Sequence, residues 1–273
     1  MRRPARIDPR ILAPAMFSRN VLLFQAFFRR EITNRYVGSV SGLLWAFASP
    51  LAQLGVLSLV FSHIFRVESG PATHGLQFVT FVAVALWPWI MFAESVTRGL
   101  AAITSNGDLV RKVAFPHILL VMSTVCAVYA VNLAGFAAVM VVLNLLDPQL
   151  YLRGIFAFLV ALVPHFVLSL AVATALAAIQ AFVRDMAHVM AVLVSILFYA
   201  TPIVYPASFV PESLRGWVAL NPHAYFAEAF RAAFTGAATF GLTDLAIVAA
   251  CVALAAASFW FFRRLSPYFE ELV

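Results

Sequence analysis

Ionisable side chains are scarce in the long apolar runs of this sequence, so they are the first residues to consider for chemistry. Four of them lie inside or at the ends of such runs: His63, Glu94, His165 and His188. An ionisable group in an apolar helix is a candidate functional site. His63 and Glu94 lie near the ends of their runs, where a flexible side chain can reach water. His165 lies near the middle of its run and is the one candidate for a buried switch, but a hydrogen bond to a neighbouring helix is the favoured interpretation.

The sequence lacks the short motifs of common enzymes. It contains no Gly-x-x-x-x-Gly-Lys-Ser/Thr loop for phosphates, no His-Glu-x-x-His zinc motif and no Gly-x-Ser-x-Gly nucleophile elbow. Cys126 and Cys251 each lie in an apolar run, and their spacing supports neither a disulfide nor a metal site. We therefore expect no catalytic residue, no metal site and no cofactor in this chain.

The composition indicates a membrane protein. Of the 273 residues, 63% are hydrophobic and only 11% are charged, which is far less charge than a soluble domain carries. Six apolar runs are long enough to cross about 30 Å of hydrocarbon as helices. They lie at residues 43–65, 76–97, 118–146, 154–182, 187–204 and 245–262. The predicted fold class is an all-α integral membrane protein with six transmembrane helices.

The basic residues predict the orientation of these helices. The net charge of +6 does not come from a basic patch of the kind that binds nucleic acid, because the cations cluster between the apolar runs. If the N-terminus is cytoplasmic, only four of the 18 Lys and Arg residues fall outside: Arg66, Arg153, Arg215 and Arg231. The positive-inside rule therefore favours a multi-pass protein with both ends in the cytoplasm.

A basic amphipathic helix is predicted before the first run, at residues 16–36, after a tail at residues 1–15. One face of this helix is apolar and consists of Phe17, Val21, Phe24, Phe28 and Ile32. Such a helix next to a span is typical of the membrane interface. It is either a plain anchor or a place where its arginines meet an anionic lipid head group.

Two connections between runs carry turn signals. Between the second and third runs, Asn106-Gly107-Asp108 indicates the start of a short helix that bears Arg111 and Lys112. This helix either docks a soluble partner or is a plain capped loop.

After the fifth run, prolines break an aromatic segment at about residues 205–235. Two short re-entrant helices are predicted there, at about 212–220 and 223–234, with their turn at Asn221-Pro222. This helical hairpin would form an outer gate from Pro206, Pro211, Trp217, Asn221 and Pro222.

Four segments together resemble the permeases of polysaccharide-exporting ABC transporters of the type-2 exporter class. They read RREITNRYVGSVSGLLWAFASP, LVRKVAFPHILL, FVRDM and TPIVYPASFVPESLRGWVALNP, and their order and spacing cover nearly the whole chain. The match in the first segment is carried by Arg29, Arg30, Glu31, Arg35, Tyr36, Gly38, Ser39, Gly42, Leu44, Trp45 and Pro50. The O-antigen lipopolysaccharide exporters are the most similar, and capsule and teichoic acid exporters are near relatives.

The resemblance implies an assembly and a site. It implies a homodimer whose transmembrane domain, here residues 37–273, works with two separate nucleotide-binding subunits that hold ATP and Mg. It implies a coupling helix at about residues 105–116, through Asn106, Gly107, Asp108, Leu109, Arg111, Lys112, Phe115 and Pro116. It also implies a bacterial inner membrane location and an undecaprenyl-linked glycan as substrate, with no role for nucleic acid.

The path of that substrate leads to two further expectations. Arg29, Arg30, Arg35 and Tyr36 would receive the lipid-linked head group. Trp87, Trp89, Tyr199 and Tyr205 would either line the path and stack on sugar rings or form interfacial belts.

Other functions remain as alternatives. A smaller lipid or drug exporter of the same class is the nearest one. A secondary transporter would need coupling carboxylates or internal repeats, and a membrane glycosyl transferase would need clustered acidic, His or Lys residues; the sequence offers only isolated ones.

Overall fold

The computed structural model describes residues 9–35, 76–147 and 150–273, with short pieces at 48, 51–56, 59–60 and 73. Within these residues the secondary structure is helical and no strand occurs, which confirms the all-α prediction. Most of the predicted first run at 43–65 lies outside the described residues, although 51–56 are helical. Tyr36 and His63 also lie outside them.

The helices are labelled in chain order within the described residues. They are α1 (Pro9–Asn34), α2 (Phe78–Ala101), α3 (Gly107–Lys112), α4 (Ile118–Leu146), α5 (Ile155–Phe182), α6 (Met186–Ala200), α7 (Glu212–Ala219), α8 (Pro222–Thr235), α9 (Leu242–Leu265) and α10 (Phe269–Leu272). Short 3-10 turns lie at Thr104–Asn106, Leu152–Gly154, Ala207–Phe209 and Ser266–Tyr268.

Four of the described helices, α2, α4, α5 and α9, are long and apolar enough to cross a membrane. They correspond to the second, third, fourth and sixth predicted runs. Helix α6 is shorter than its predicted run at 187–204, because the chain leaves the helix after Ala200. Its 15 residues extend about 22 Å, less than the hydrocarbon thickness of about 30 Å. The residues that follow, Thr201 to Val204, are buried turns.

Helix α2 is the centre of the bundle. It packs against α4, α5, α6 and α8, and nearly every side chain between Phe78 and Trp89 is buried. Helix α5 also packs against α9 on its other side. The turn just before α5 touches α8 so closely that a Cβ on Gly154 would lie 1.8 Å from the Ala233 carbonyl oxygen. Only a glycine therefore allows this approach.

The bundle has two distinct ends. One end carries the basic side chains Arg98, Arg111, Lys112, Arg184, Arg263 and Arg264, together with α3 and α10, and is called the basic end. The opposite end carries α7 and α8 and is called the hairpin end. At the hairpin end, the Gln77 amide donates to Asp147 at 2.9 Å and the Tyr151 amide donates to the Phe234 carbonyl at 2.8 Å.

Helix α1 starts at Pro9, seven residues earlier than predicted. A proline suits the first helical turn because that turn needs no backbone donor. The helix packs against α4, and Phe27 is its buried contact residue. Val21 lies on the predicted apolar face and is exposed. The face of α1 that carries Phe27 therefore packs on the bundle, and the face that carries Val21 remains exposed.

Candidate functional site

The short helix α3 forms at the basic end where the sequence predicts it. Asp108 lies in its first turn, and Arg111 and Lys112 lie in its last turn, so all three charges complement the helix dipole. The Lys112 ammonium and the Asp108 carboxylate are 3.8 Å apart, and both side chains are largely exposed. Asn106 does not cap the helix with its side chain, although it holds the N-cap position.

The Asn106 side chain instead joins α3 to α1. Its amide nitrogen donates to the Ala102 carbonyl at 2.8 Å, and its oxygen accepts from Arg30 Nη2 at 2.6 Å. The Phe27 and Phe115 rings pack beside this contact with centroids 5.4 Å apart. The predicted coupling residues therefore rest on the N-terminal helix.

The C-terminal residues support α3 from the other side. The Arg111 Nε donates to the Val273 carbonyl, and a Cβ on Gly107 would lie 2.7 Å from a methyl of Val273. His117 Nδ1 is 3.1 Å from the Ser266 hydroxyl, and the His117 ring packs near the buried Phe269 ring. Helix α3 is therefore held between α1 and the segment after α9.

His117 is the titratable group in this support. Burial lowers its pKa below the ordinary value of 6.5, while the nearby Glu270 carboxylate opposes that shift. The neutral imidazole is thus the form that the packing favours.

A charged cluster joins α2, α4 and the residue after α1, and Glu94 of α2 is its centre. The Glu94 carboxylate accepts hydrogen bonds from Arg35 Nη2 at 2.7 Å, from Arg98 Nε at 2.9 Å and from Asn132 Nδ2 at 2.8 Å. These donors come from the end of α1, from α2 itself and from α4. Glu94 was expected to reach water from the end of its run, but α2 continues to Ala101 and the carboxylate bonds to protein instead.

The predicted head-group residues therefore have different surroundings. Arg29 is exposed, Arg30 bonds to Asn106, and Arg35 pairs with Glu94. All three lie at the basic end, within two turns of α1. Tyr36 follows directly but lies outside the described residues.

At the hairpin end, Arg231 of α8 ties the hairpin to the bundle. Its side chain is completely buried, and Nη1 is 2.8 Å from the Glu228 carboxylate. Nη2 donates to the Ile203 carbonyl at 2.7 Å, and the guanidinium carbon lies 3.6 Å from the Phe81 ring centroid. A buried arginine of this kind is stable because its charge and its donors are satisfied.

The predicted hairpin turn is also joined to the end of α6. Asn221 caps α8 by accepting from the His223 amide at 3.0 Å, and Pro222 takes the first helical position. The Asn221 amide nitrogen donates to the Thr201 hydroxyl at 2.8 Å. Helices α7 and α8 thus start and end within two residues of the prediction.

The hairpin and α6 enclose an apolar cavity of about 1140 Å³, called the hairpin cavity. Six of the predicted lining and gate residues face it: Tyr199, Tyr205, Pro211, Trp217, Asn221 and Pro222. Tyr199 and Trp217 are 71% and 75% exposed, and the Tyr205 hydroxyl donates to the Tyr199 carbonyl. The remaining gate residue, Pro206, is buried.

The two tryptophans predicted to line the path lie in the core of the subunit. Trp87 has no exposed surface, and its indole N–H donates to the Asn132 carbonyl at 3.0 Å. Trp89 is 6% exposed and packs on Phe198 and His223. Neither ring is among the residues that line the hairpin cavity, although Trp89 packs on His223, which does.

His165 has the structural role that was favoured for it. Tyr129 of α4 places its hydroxyl 2.8 Å from His165 Nδ1 and 2.8 Å from the Ser169 hydroxyl. The His165 ring also packs edge-on against His223 of the hairpin, with centroids 5.7 Å apart. This buried cluster links α4, α5 and α8.

The most informative residues that the sequence analysis missed are Arg231 and Asn132. Arg231 was counted among the outer charges and no ion pair was predicted for it, although its spacing of three from Glu228 on a helix was a visible signal. Asn132 is an amide near the middle of an apolar run. Within the part of the chain that the structure describes, no group of three or more His, Cys, Asp or Glu side chains could hold a metal ion.

Comparison with known proteins gives one family. The family profile of the ABC-2 type transporter matches residues 22–235. The chain is 35% identical over 211 residues to the O-antigen export system permease protein RfbA of Myxococcus xanthus, covering 76% of this chain and 77% of that protein. It is 23% identical to the protein of the same name from Klebsiella pneumoniae, over 75% and 77% of the two chains. It is 21% identical to the polysialic acid transport protein KpsM of Escherichia coli, over 81% and 84%.

The matched region contains the charged cluster, α3 and the whole hairpin, so the comparison covers the candidate site and not only the apolar helices. The chain therefore belongs to the ABC-2 type transporter family and is a membrane-embedded permease of the polysaccharide exporter type.

Proposed function

We propose that this chain is the permease subunit of an ATP-driven exporter that carries a lipid-linked polysaccharide of the O-antigen type across the bacterial inner membrane. The observation that carries the proposal is the placement of two features at opposite ends of the same helices. Helix α3 lies at the basic end, and the hairpin cavity lies at the hairpin end. Helix α2 connects the two features. Towards the basic end its Glu94 carboxylate pairs with Arg35, and at the hairpin end its Phe81 carbonyl accepts from Arg231.

The basic end is the cytoplasmic side in this proposal, because it carries most of the Lys and Arg residues. Both chain ends then lie in the cytoplasm. Helix α3 would dock a separate nucleotide-binding subunit, which supplies the ATP and Mg chemistry that this chain has no motif for. The exposed Lys112 and Asp108 offer a polar contact surface for that partner.

A second copy of the chain would cover α6. No residue of α6 is buried in the single subunit, and its exposed large apolar side chains are Val189, Val192, Leu193, Ile196 and Tyr199. A row of exposed apolar residues on a helix is typical of a contact with lipid or with another protein. Because α6 is also shorter than the hydrocarbon layer, a protein partner is the better cover for its ends.

The substrate would enter at the basic end and leave at the hairpin end. Arg29, Arg30 and Arg35 would attract the phosphates of the undecaprenyl carrier, and membrane lipid would surround α1. The hairpin would lie in the outer leaflet and open as a gate. Tyr199 and Tyr205 would offer rings on which sugars stack weakly, and weak repeated contacts suit a long polymer that must keep moving.

Other substrates of the same transporter class form the second proposal. The similarity to a polysialic acid transport protein favours an acidic capsule-type polysaccharide as the alternative glycan. Teichoic acid, a smaller lipid or a drug would use the same coupling helix and would differ only in the cavity contacts.

Co-purification tests the proposed function. The chain is expressed with candidate ABC ATPase subunits, and ATP hydrolysis by the complex is measured with and without lipid-linked glycan in nanodiscs. We expect a stable complex whose ATPase rate rises with the glycan. A complex that fails to form, or hydrolysis that ignores every lipid-linked glycan, would contradict the proposal.

A further inference from the structure

The segment after α9, residues 266–273, packs tightly against α3. Val273 lies beside Gly107 at the start of α3, where a Cβ would lie 2.7 Å from a Val273 methyl and 3.3 Å from the Val273 carbonyl carbon. A side chain at Gly107 would therefore push the two segments apart. Arg111 in the last turn of α3 donates to the Val273 carbonyl, so the segment contacts both ends of this short helix.

Phe269 anchors the same segment in the bundle. It is completely buried, and its ring centroid lies 5.2 Å from that of Phe262 on α9 and 6.3 Å from that of Phe182 at the end of α5. The ring of His117, the N-cap residue of α4, has its centroid 6.1 Å away. One side chain therefore joins three long helices at the basic end.

The segment connects α3 to helices that the chain itself does not join to it. Along the backbone, α3 lies between α2 and α4. Residues 266–273 instead continue α9, and Phe269 also packs on α5. Helix α5 lines the hairpin cavity through Leu168 and Val172 and packs against α8 of the hairpin. The contact with α3 is therefore the start of a packed route from the basic end to the hairpin end.

We propose that residues 266–273 are a transmission element: they move with α3 as one rigid body, and Phe269 passes this movement to α5 and α9. The inference rests on the proposed function, in which α3 docks the ATPase subunit. Close-packed side chains have low compressibility and transmit a displacement instead of absorbing it. Phe269 and Val273 are positioning residues in this mechanism, because they act through the helices and need not touch the substrate.

The face of α3 that would meet the ATPase subunit is separate from this contact. The Lys112 and Asp108 side chains are largely exposed, whereas Gly107 and Arg111 contact Val273. A change at Phe269 therefore leaves the exposed docking charges in place. Loss of transmission should separate transport from ATP hydrolysis, while loss of docking should lower both.

Substitution of Phe269 tests the transmission. The full chain is reconstituted with the ATPase subunit, and assembly, ATP hydrolysis and glycan transport are measured for Phe269→Ala, for the conservative Phe269→Leu and for the control Tyr268→Ala, whose side chain is exposed. We expect Phe269→Ala to assemble and hydrolyse ATP but to transport several-fold less glycan per ATP. Phe269→Leu should restore most of the transport, and Tyr268→Ala should transport normally.

A reversible disulfide tests whether the segment and α3 move together. A Cβ on Gly107 would lie 3.7 Å from the Val273 Cβ, close to the spacing of about 3.8 Å that is typical of disulfide-bonded cysteines. Gly107→Cys combined with Val273→Cys should therefore form the bond on mild oxidation. The oxidised and reduced samples of this variant should transport the same amount of glycan per ATP. Val273→Cys alone controls for effects of the oxidant on Cys126 and Cys251.

Three results would overturn the inference. Transport and hydrolysis that fall equally in Phe269→Ala, or transport that does not fall, would leave Phe269 as a packing residue only. Transport that is lost on oxidation of the double cysteine variant and restored by reduction would show that α3 must move relative to the segment. If Phe269→Ala does not assemble, this disulfide measurement decides. Transport without any ATPase subunit would instead contradict the proposed function itself.

Discussion

The Arg231 guanidinium lies over the Phe81 ring, with its central carbon 3.6 Å from the ring centroid, and this contact joins the hairpin to the central helix α2. Cation–π contacts are strongest where water is excluded, as it is here. The same side chain also forms an ion pair with Glu228 and donates a hydrogen bond to the Ile203 carbonyl. If the hairpin moves during transport, this is the contact that must either move with it or break.

Arg231→Met should destabilise the protein by about 1–3 kcal/mol, because it removes the donor to the Ile203 carbonyl and the contact with the Phe81 ring. The matched control is Arg215→Met on α7. Arg215 also pairs with a glutamate three residues earlier, but that pair is exposed and worth about 1 kcal/mol or less. Thermal unfolding in detergent compares the two variants, and equal loss of stability would contradict the anchoring role of Arg231.

The aromatic side chains of the hairpin cavity can be separated from those of the core. Tyr199→Ala removes an exposed ring from the cavity wall, so it should slow glycan export with little change in stability. Trp87→Ala removes a fully buried ring and should cost about 3–5 kcal/mol of stability. Surface glycan and the melting temperature are measured for both. Normal export by stable Tyr199→Ala would assign that ring to the membrane interface instead.

The docking role of α3 is best tested at Lys112. Arg111 also holds Val273, so its reversal would disturb the support of α3 as well as its surface. Lys112→Glu reverses an exposed charge whose ion pair with Asp108 is exposed as well, and we expect export to fall several-fold more than ATP hydrolysis by the partner. Arg184→Glu, a charge reversal in the turn after α5 at the same end, is the control. Equal export in the two variants would remove Lys112 from the contact.

The packing around His117 should weaken on acidification. Burial lowers the pKa of His117 in the packed state, so the imidazole binds a proton more readily when this packing is lost. The stabilising contribution is therefore complete above about pH 6.5 and declines as the pH falls below that value. Limited proteolysis of the segment after α9 at pH 7.5 and 5.5 measures the effect.

His117→Gln, which keeps a polar partner for Ser266, should abolish this pH dependence. Proteolysis of that variant which still rises at low pH would assign the effect to another group. Glu270 is the nearest one, because it already opposes the shift at His117.

The sequence patterns predicted the elements better than the contacts between them. Hydrophobic run length located α2, α4, α5 and α9, because length and apolarity are local properties. The start of α3 and the turn at Asn221 were also predictable from local turn chemistry. The end of α6 was not, since the chain leaves that helix in order to bury Thr201 and Ile203 against the hairpin.

Tertiary contacts determine the roles of the residues that the sequence alone placed wrongly. Trp87 and Tyr199 are both aromatic residues in apolar runs, and only the packing of α2 at the centre distinguishes a core ring from a cavity ring. Glu94 resembled a side chain that reaches water, because its partners Arg35 and Asn132 are distant in sequence. Arg231 was counted only as one of the outer charges, because its contacts with Phe81 and Ile203 are distant in sequence.

Transport by the purified chain tests the central claim most directly, namely that a separate ATPase drives this permease through α3. The chain is reconstituted in proteoliposomes with lipid-linked glycan, either alone or with the ATPase subunit, and glycan that reaches the opposite leaflet is measured with and without ATP. The account predicts transport only when the ATPase subunit and ATP are both present. Equal transport by the chain alone would contradict it.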